Sequence, residues 1–130
     1  MVLYIRGVLS ALLLFICGTA QAVCAYGKPT FGEEWDRAKY VVVGRLVGSK
    51  SLASADDPQG IEATEYTIEV IRFFKGKAGQ RISLRSENTS SRFNMRTGYS
   101  YILFIESDGE ANFVDPCGSS GELSQRSPYR

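Results

Sequence analysis

The sequence contains no histidine. That excludes His-based catalytic triads and imidazole metal ligands. A cysteine nucleophile would lack its customary base. Neither sign of charge is in surplus: 15 Lys and Arg stand against 14 Asp and Glu, a formal net charge of +1. A balanced chain offers no global attraction for nucleic acid or for an anionic membrane. Cysteine is scarce, at three residues. Internal repeats, heptads and alternating strand–helix units are missing, which excludes solenoids, coiled coils and doubly wound sheets.

Long apolar runs are missing too, except Val8 to Ile16, broken only by Ser10. Arg6 precedes this run, and Ala20-Gln21-Ala22 follows it with small residues where a signal peptidase reads. This is the layout of a secretory signal over residues 1–22, cut after Ala22. The run is short of the roughly 20 residues a membrane span needs. The expected location is therefore secreted or periplasmic, with no membrane span after cleavage. The residues before Cys17 and Cys24 are Ile16 and Val23, too large for a lipid-attachment site. Removing Arg6 leaves fourteen cations against fourteen anions.

Cys17 leaves with the signal. Cys24 and Cys117 remain, at opposite ends of a small domain over residues 23–117. In an oxidising compartment such a pair reads as a disulfide, with free thiols or an intermolecular bond as the alternative. A bond closing so long a loop would contribute roughly 4–5 kcal/mol in the chain-entropy account. Residues 118–130 read as a polar tail, frayed at the terminus.

Thr30-Phe31-Gly32-Glu33 has the form of a capping box. Phe31, Trp35 and Ala38 follow at spacings of four and three, one face of a two-turn helix resting on a sheet. The rest reads as five strands. Tyr40 to Val47 is rich in β-branched residues, with Gly44 marking a bulge or bend. Thr64 to Phe74 alternates, placing Tyr66, Ile68 and Val70 on one face. Arg81 to Arg85 alternates with Ile82 and Leu84 inward. Tyr99 to Ile105 is almost wholly apolar, as a central strand is. Ala111 to Val114 closes the set after an Asp108-Gly109 turn. The long loops are Ser51 to Gly60 and Glu87 to Gly98. Composition and pattern describe a small, exported, mainly β domain.

Several residue groups could carry chemistry. Glu33-Glu34 and Asp56-Asp57 are paired carboxylates. The first pair suits a helix N-terminus, where the dipole favours acids, and the second lies in a polar loop. Glu106, Asp108 and Glu110 could hold calcium weakly but match no known loop pattern; a solvated hairpin accounts for them. Arg72, Lys75, Lys77, Arg81, Arg85, Arg92 and Arg96 are interleaved with Tyr66, Phe73, Phe74, Phe93 and Tyr99. On a barrel they could line a groove for a single strand. Export, zero net charge and acids on the same strands weigh against nucleic acid. Edge protection is the alternative use of such cations. No metal, cofactor or catalytic residue is expected.

The order of pieces resembles the netrin-like domain family, which includes the inhibitory domain of the tissue inhibitors of metalloproteinases and small bacterial proteins similar to it. Cys24 follows the signal. Glu33 to Val47 resembles the family's helix running into a "V-x-G-x-V" strand. Val70 to Gly76 is similar to its strand ending in "aromatic-Lys-Gly". Gly98 to Phe104 resembles "G-x-x-Y-L-hydrophobic-F", and Cys117 to Leu123 resembles the closing "C-x-x-S…L". The resemblance implies a five-stranded OB-like Greek-key barrel with one short N-terminal helix. It also implies a Cys24–Cys117 staple.

One feature departs from the family. Its members commonly carry C-x-C at the mature N-terminus and an inner cysteine. Here Ala22 and Ser90-Ser91-Arg92 stand at those places, so one disulfide is absent as a whole. In the inhibitors the first mature residue is a cysteine whose α-amine and carbonyl bind the target's zinc; zinc accepts such donors in an open position. Here the expected first residue is Val23. The implied function is a non-enzymatic exported binding module. It would present Val23, Cys24, Ala25 and Tyr26, with adjacent loops, to a protein partner. Metalloproteinase inhibition and a structural role in the envelope are the alternatives.

Overall fold

Seven residues, Phe31–Arg37, form the helix α1. Thr30 is extended and its Oγ1 accepts the Glu33 N–H at 3.2 Å, so the first turn is capped as the sequence pattern requires. So short a helix is not stable alone and depends on what holds its ends. At its C-terminus the Lys75 ammonium donates to the carbonyls of Trp35 and Asp36, a cation on the negative end of the helix. The computed structural model in which these elements are seen describes Cys24, residues 27–89 and residues 91–123.

The remaining elements are strands: β1 Tyr40–Ala53, β2 Ile61–Lys75, β3 Arg81–Glu87, β4 Ser100–Ser107, β5 Asn112–Val114 and β6 Gly121–Glu122. All pairings are antiparallel, in the order β3-β2-β1-β4-β5, with β6 also on β4. Three hairpin-linked strands followed by a fourth that returns beside the first is a Greek key. The fold is thus mainly β with one short helix, a barrel-like sheet with five principal strands. A sixth strand of two residues was not expected.

β1 and β2 form one long twisted arm with four register shifts. Their pairing leaves Ile71 and Phe74 as extra residues on β2, and both side chains are exposed. One shift falls between Val43 and Gly44, where the lone glycine of that apolar run foretold a bulge. A Cβ at Gly44 would press on Ile68 Cγ2 and lie 3.2 Å from the Glu69 carbonyl. Both strands run further than their apolar patterns. Ser49, Lys50 and Ser51 pair with Tyr66, Glu65 and Thr64, so part of the expected 51–60 loop is strand.

β1 and β4 are covered on both faces, which explains the unbroken apolar character of β4. Val42 and Leu103 face the main core with Leu46, Ile68, Ile82 and Leu84. Val41 and Phe104 face the other way and meet Ala38 and Trp35 of the helix region. The loop between β3 and β4 enters the main core through Met95 and Phe93. Tyr101 fixes that loop by accepting the Arg96 N–H on its hydroxyl at 2.7 Å.

β5 and β6 lie on the same edge of β4 and are two pieces of one strand path. Val114 pairs with Ile105 and Gly121 pairs with Ile102. Between them residues 115–120 leave the sheet. The sheet thus continues past the domain boundary expected at Cys117, and Ser120 is buried. Residues 124–130 and the expected signal over residues 1–22 lie outside the described residues.

Candidate functional site

The excursion over residues 115–120 builds one end of the barrel. Cys117 is bonded to Cys24, 93 residues away in sequence, with Cα atoms 5.9 Å apart. Such a bond belongs to an oxidising environment. No helix among the described residues is long and apolar enough to cross a membrane. Asp115 Oδ1 accepts the Cys117 N–H at 2.8 Å and shapes the turn. Where the β5–β6 gap leaves β4 without a backbone partner, Ser120 Oγ accepts the Phe104 N–H at 2.9 Å. A hydroxyl thus fills a vacant ladder position.

Glu34 holds the same loop from the helix side. Its side chain is 2% exposed. Both carboxylate oxygens accept the Ser119 N–H, at 2.7 and 3.0 Å. A carboxylate removed from water needs such donors. Gly118 makes the approach possible, because a Cβ there would collide with the Glu34 carboxylate. On the far side of the helix, Gly76 adopts φ +75°, and a Cβ there would strike Tyr40 Cδ1 at 2.8 Å. Glycine is required there by both conformation and space.

Beside the disulfide is a cleft of 290 Å³ lined by Cys24, Lys28, Pro29, Glu33, Arg37 and Asp115. Arg37 bridges Glu106 at 3.8 Å and Asp115 at 3.6 Å. Gly27 turns the chain into this cleft, donating its N–H to the Cys24 carbonyl at 3.0 Å with φ 74°. The half-buried Cys24 is one of the four residues expected to meet a partner. The other three, Val23, Ala25 and Tyr26, lie outside the described residues.

The other candidate groups do not converge. Asp57 accepts the Gln59 N–H and caps a turn, and Glu33 is exposed while Glu34 is buried. Asp108 accepts the N–H groups of Ala111 and Glu110 at 2.8 and 2.9 Å, and those bonds hold its carboxyl below the ordinary value. Glu106 turns instead to Arg37. No group of three or more acidic or thiol side chains that could hold a metal gathers among the described residues.

Among the described residues the basic and aromatic side chains do not line up along one groove: most are engaged locally, and only Arg85, Arg92 and Phe93 border a common cavity. Arg72 stacks on Phe74, Lys75 caps α1, and Tyr66 is in the core. The Glu87 carboxylate, hydrogen-bonded at 2.7 Å, raises the Arg85 guanidinium above its ordinary value. Glu122 does the same to Arg96, which also stacks on Tyr99 at 3.9 Å.

Glu34 entered the sequence reading only as one of a carboxylate pair at a helix N-terminus, and Ser120 only as the serine of the C-x-x-S resemblance; the role of neither as a clamp on the 115–120 loop was read. The signal for Glu34 was present. The spacing that puts Phe31, Trp35 and Ala38 on one helix face puts residue 34 there as well. An acid on an apolar face needs a buried partner, and the partner lies 85 residues away. Phe31, by contrast, was expected on the sheet but is 62% exposed; its ring still meets Phe104 at right angles, centroids 5.7 Å apart. Compared with known proteins, the chain matches no family model and no curated protein.

Proposed function

We propose that this chain is an exported, non-enzymatic binding module that presents its N-terminal segment to a protein partner. The supporting observation is convergence. Cys24, the helix, the Phe74-Lys75-Gly76 end of β2 and the Cys117-to-Ser120 loop meet at one end of the barrel. They are joined by the disulfide, the Glu34 carboxylate and the Lys75 ammonium. They belong to four of the five pieces on which the resemblance to the netrin-like family rests; Gly98 to Phe104 is the fifth. The disulfide fixes Cys24, the root of that segment, and fixing the root lowers part of the ordering cost of recognition. The disulfide and the signal-like N-terminus support secreted or periplasmic placement.

The test places a photo-crosslinking amino acid at Lys28, on the cleft, and at Lys50, on the distant β1–β2 arm, in the cell that exports the protein. A discrete adduct from the Lys28 position alone supports the reading. Equal adducts from both positions, or none from Lys28, overturn it. Metalloproteinase inhibition is the narrower alternative. It gains if the exported chain begins at Cys24 rather than Val23, since an α-amine on the stapled residue could then reach a target zinc. N-terminal sequencing with a panel of zinc proteases decides it.

A further inference from the structure

A second surface lies on the opposite edge of the sheet, where β3 and β5 approach across the open seam of the barrel. No ladder joins them among the described residues. Which groups face the seam follows from the neighbouring pairings. The Asn88 N–H donates to the Glu62 carbonyl at 2.9 Å, and the Val70 N–H to the Gln80 carbonyl at 2.8 Å. Both pairs are in register with the β2–β3 ladder. Hydrogen-bonded residues alternate along an antiparallel ladder. Ile82, Leu84 and Ser86 therefore turn their backbone groups to β2, and Ser83, Arg85 and Glu87 turn theirs to the seam. The same count from the Asp108 N–H on the Ala111 carbonyl turns Asn112 and Val114 to the seam from β5.

The seam is pinched at one point. Asn112 Nδ2 donates to the Ser83 carbonyl at 3.2 Å. A side-chain amide stands there in the place of a neighbouring strand's peptide N–H. Beyond it the strands part around a cavity of 390 Å³, with Phe93, Phe113, Val114 and Pro116 supplying apolar walls. Its charges are mostly satisfied within the chain. Glu87 pairs with Arg85, and Asp108 accepts two backbone N–H groups. Arg92, on the rim, hydrogen-bonds Asn88 and has no carboxylate partner among the described residues.

We propose that this seam binds an extended peptide segment of a partner protein. The segment adds to β3 at the outward N–H and carbonyl of Arg85 and at the outward N–H of Glu87, whose carbonyl already accepts the Thr89 N–H at 2.9 Å. It places an apolar side chain in the cavity and a carboxylate against Arg92. Main-chain pairing supplies the affinity, and the cavity and the arginine supply the choice of sequence. This surface borders the N-terminal one at the loop after β5, where Pro116 lines the cavity and Asp115 the cleft, but it rests on different contacts and the two readings are tested separately.

The test is a selection of random heptapeptides displayed on phage against the oxidised exported protein, followed by amide NMR titration with the enriched peptides. The expected winners combine apolar and acidic residues and shift the Arg85 and Glu87 amides. Methylating alternate backbone nitrogens of a winning peptide abolishes binding. Arg92→Glu, at an exposed position, weakens binding about fivefold, the scale of one exposed ion pair. No enrichment, or equal binding by the methylated peptide, overturns the proposal. So do shifts confined to the region of Cys24 and Lys28. Protection of the Arg85 amide without peptide also overturns it: growth with protein concentration assigns the seam to a second copy, and loss on removing residues 124–130 assigns it to the chain's own tail.

Discussion

β5 runs out of backbone partners in two places. Past Val114, on the β4 side, the chain leaves the ladder for six residues, and side chains fill the gap. Ser120 takes the Phe104 N–H, Glu34 takes the Ser119 N–H, and a disulfide anchors Cys117. On the β3 side a single carboxamide, from Asn112, spans the opening. The first interruption is rigidly filled and the second is left open. A sheet edge costs little where water reaches it, whereas a buried one must be satisfied. The contrast separates a built end from a receptive seam.

Removing the staple gives the largest expected break in that contrast. Cys24→Ser with Cys117→Ser should lower stability by roughly 4–5 kcal/mol, measured by urea unfolding of the exported protein. A loss below about 1 kcal/mol would mean that hydrogen bonds alone hold the loop.

Glu34→Ala comes next. It strands the Ser119 N–H and leaves a cavity, and the expected loss is about 3 kcal/mol. Gly118→Ala should cost about 2 kcal/mol through collision with the carboxylate. The two are coupled. In the Glu34→Ala background the Gly118→Ala penalty should fall by more than half, since the carboxylate is gone and only the 3.2 Å approach to the Asp115 carbonyl remains. Strict additivity would show that Gly118 is required for some other reason. Asn112→Ala, at the open seam, should cost no more than about 1 kcal/mol. A larger loss there would mean the seam is as firmly closed as the built end.

The sequence made the strands legible because their signal is local. Ile82 and Leu84 alternate with polar neighbours and are buried, and Gly44 marks a bulge. The helix start was legible for the same reason, since Thr30 caps within three residues. The extension of β1 beyond Val47 was not, because Ser49, Lys50 and Ser51 are strand only through their partners on β2. The pairing of Cys24 with Cys117 followed from counting cysteines. Glu34 with Ser119, and Ser120 with Phe104, could not be counted in that way: each joins a common residue type to a backbone group far along the chain. The seam was invisible for a further reason. It is defined by which backbone groups lack partners, and sequence carries no mark of that.

The smallest effect concerns the hairpin that supports the seam from the β5 side. Asp108 accepts the N–H of Ala111 and then of Glu110, and these bonds favour its charged form. Its folded value lies below the ordinary 3.8. A carboxyl depressed by folding stabilises the fold above its unfolded value, and that contribution is lost as pH falls through the folded value. The hairpin should therefore be insensitive to pH near neutrality and loosen only below about pH 4. Following the Asp108 carboxyl carbon and the Ala111 amide by NMR from pH 6 to pH 2 checks this. Both should move together, below the ordinary aspartate range. In Asp108→Asn the amide step should disappear while the turn persists, because the Asn carbonyl can still accept. Titration at or above the ordinary value would mean that the two N–H bonds do not hold in solution. The β5 edge would then be no better ordered than the opening it borders.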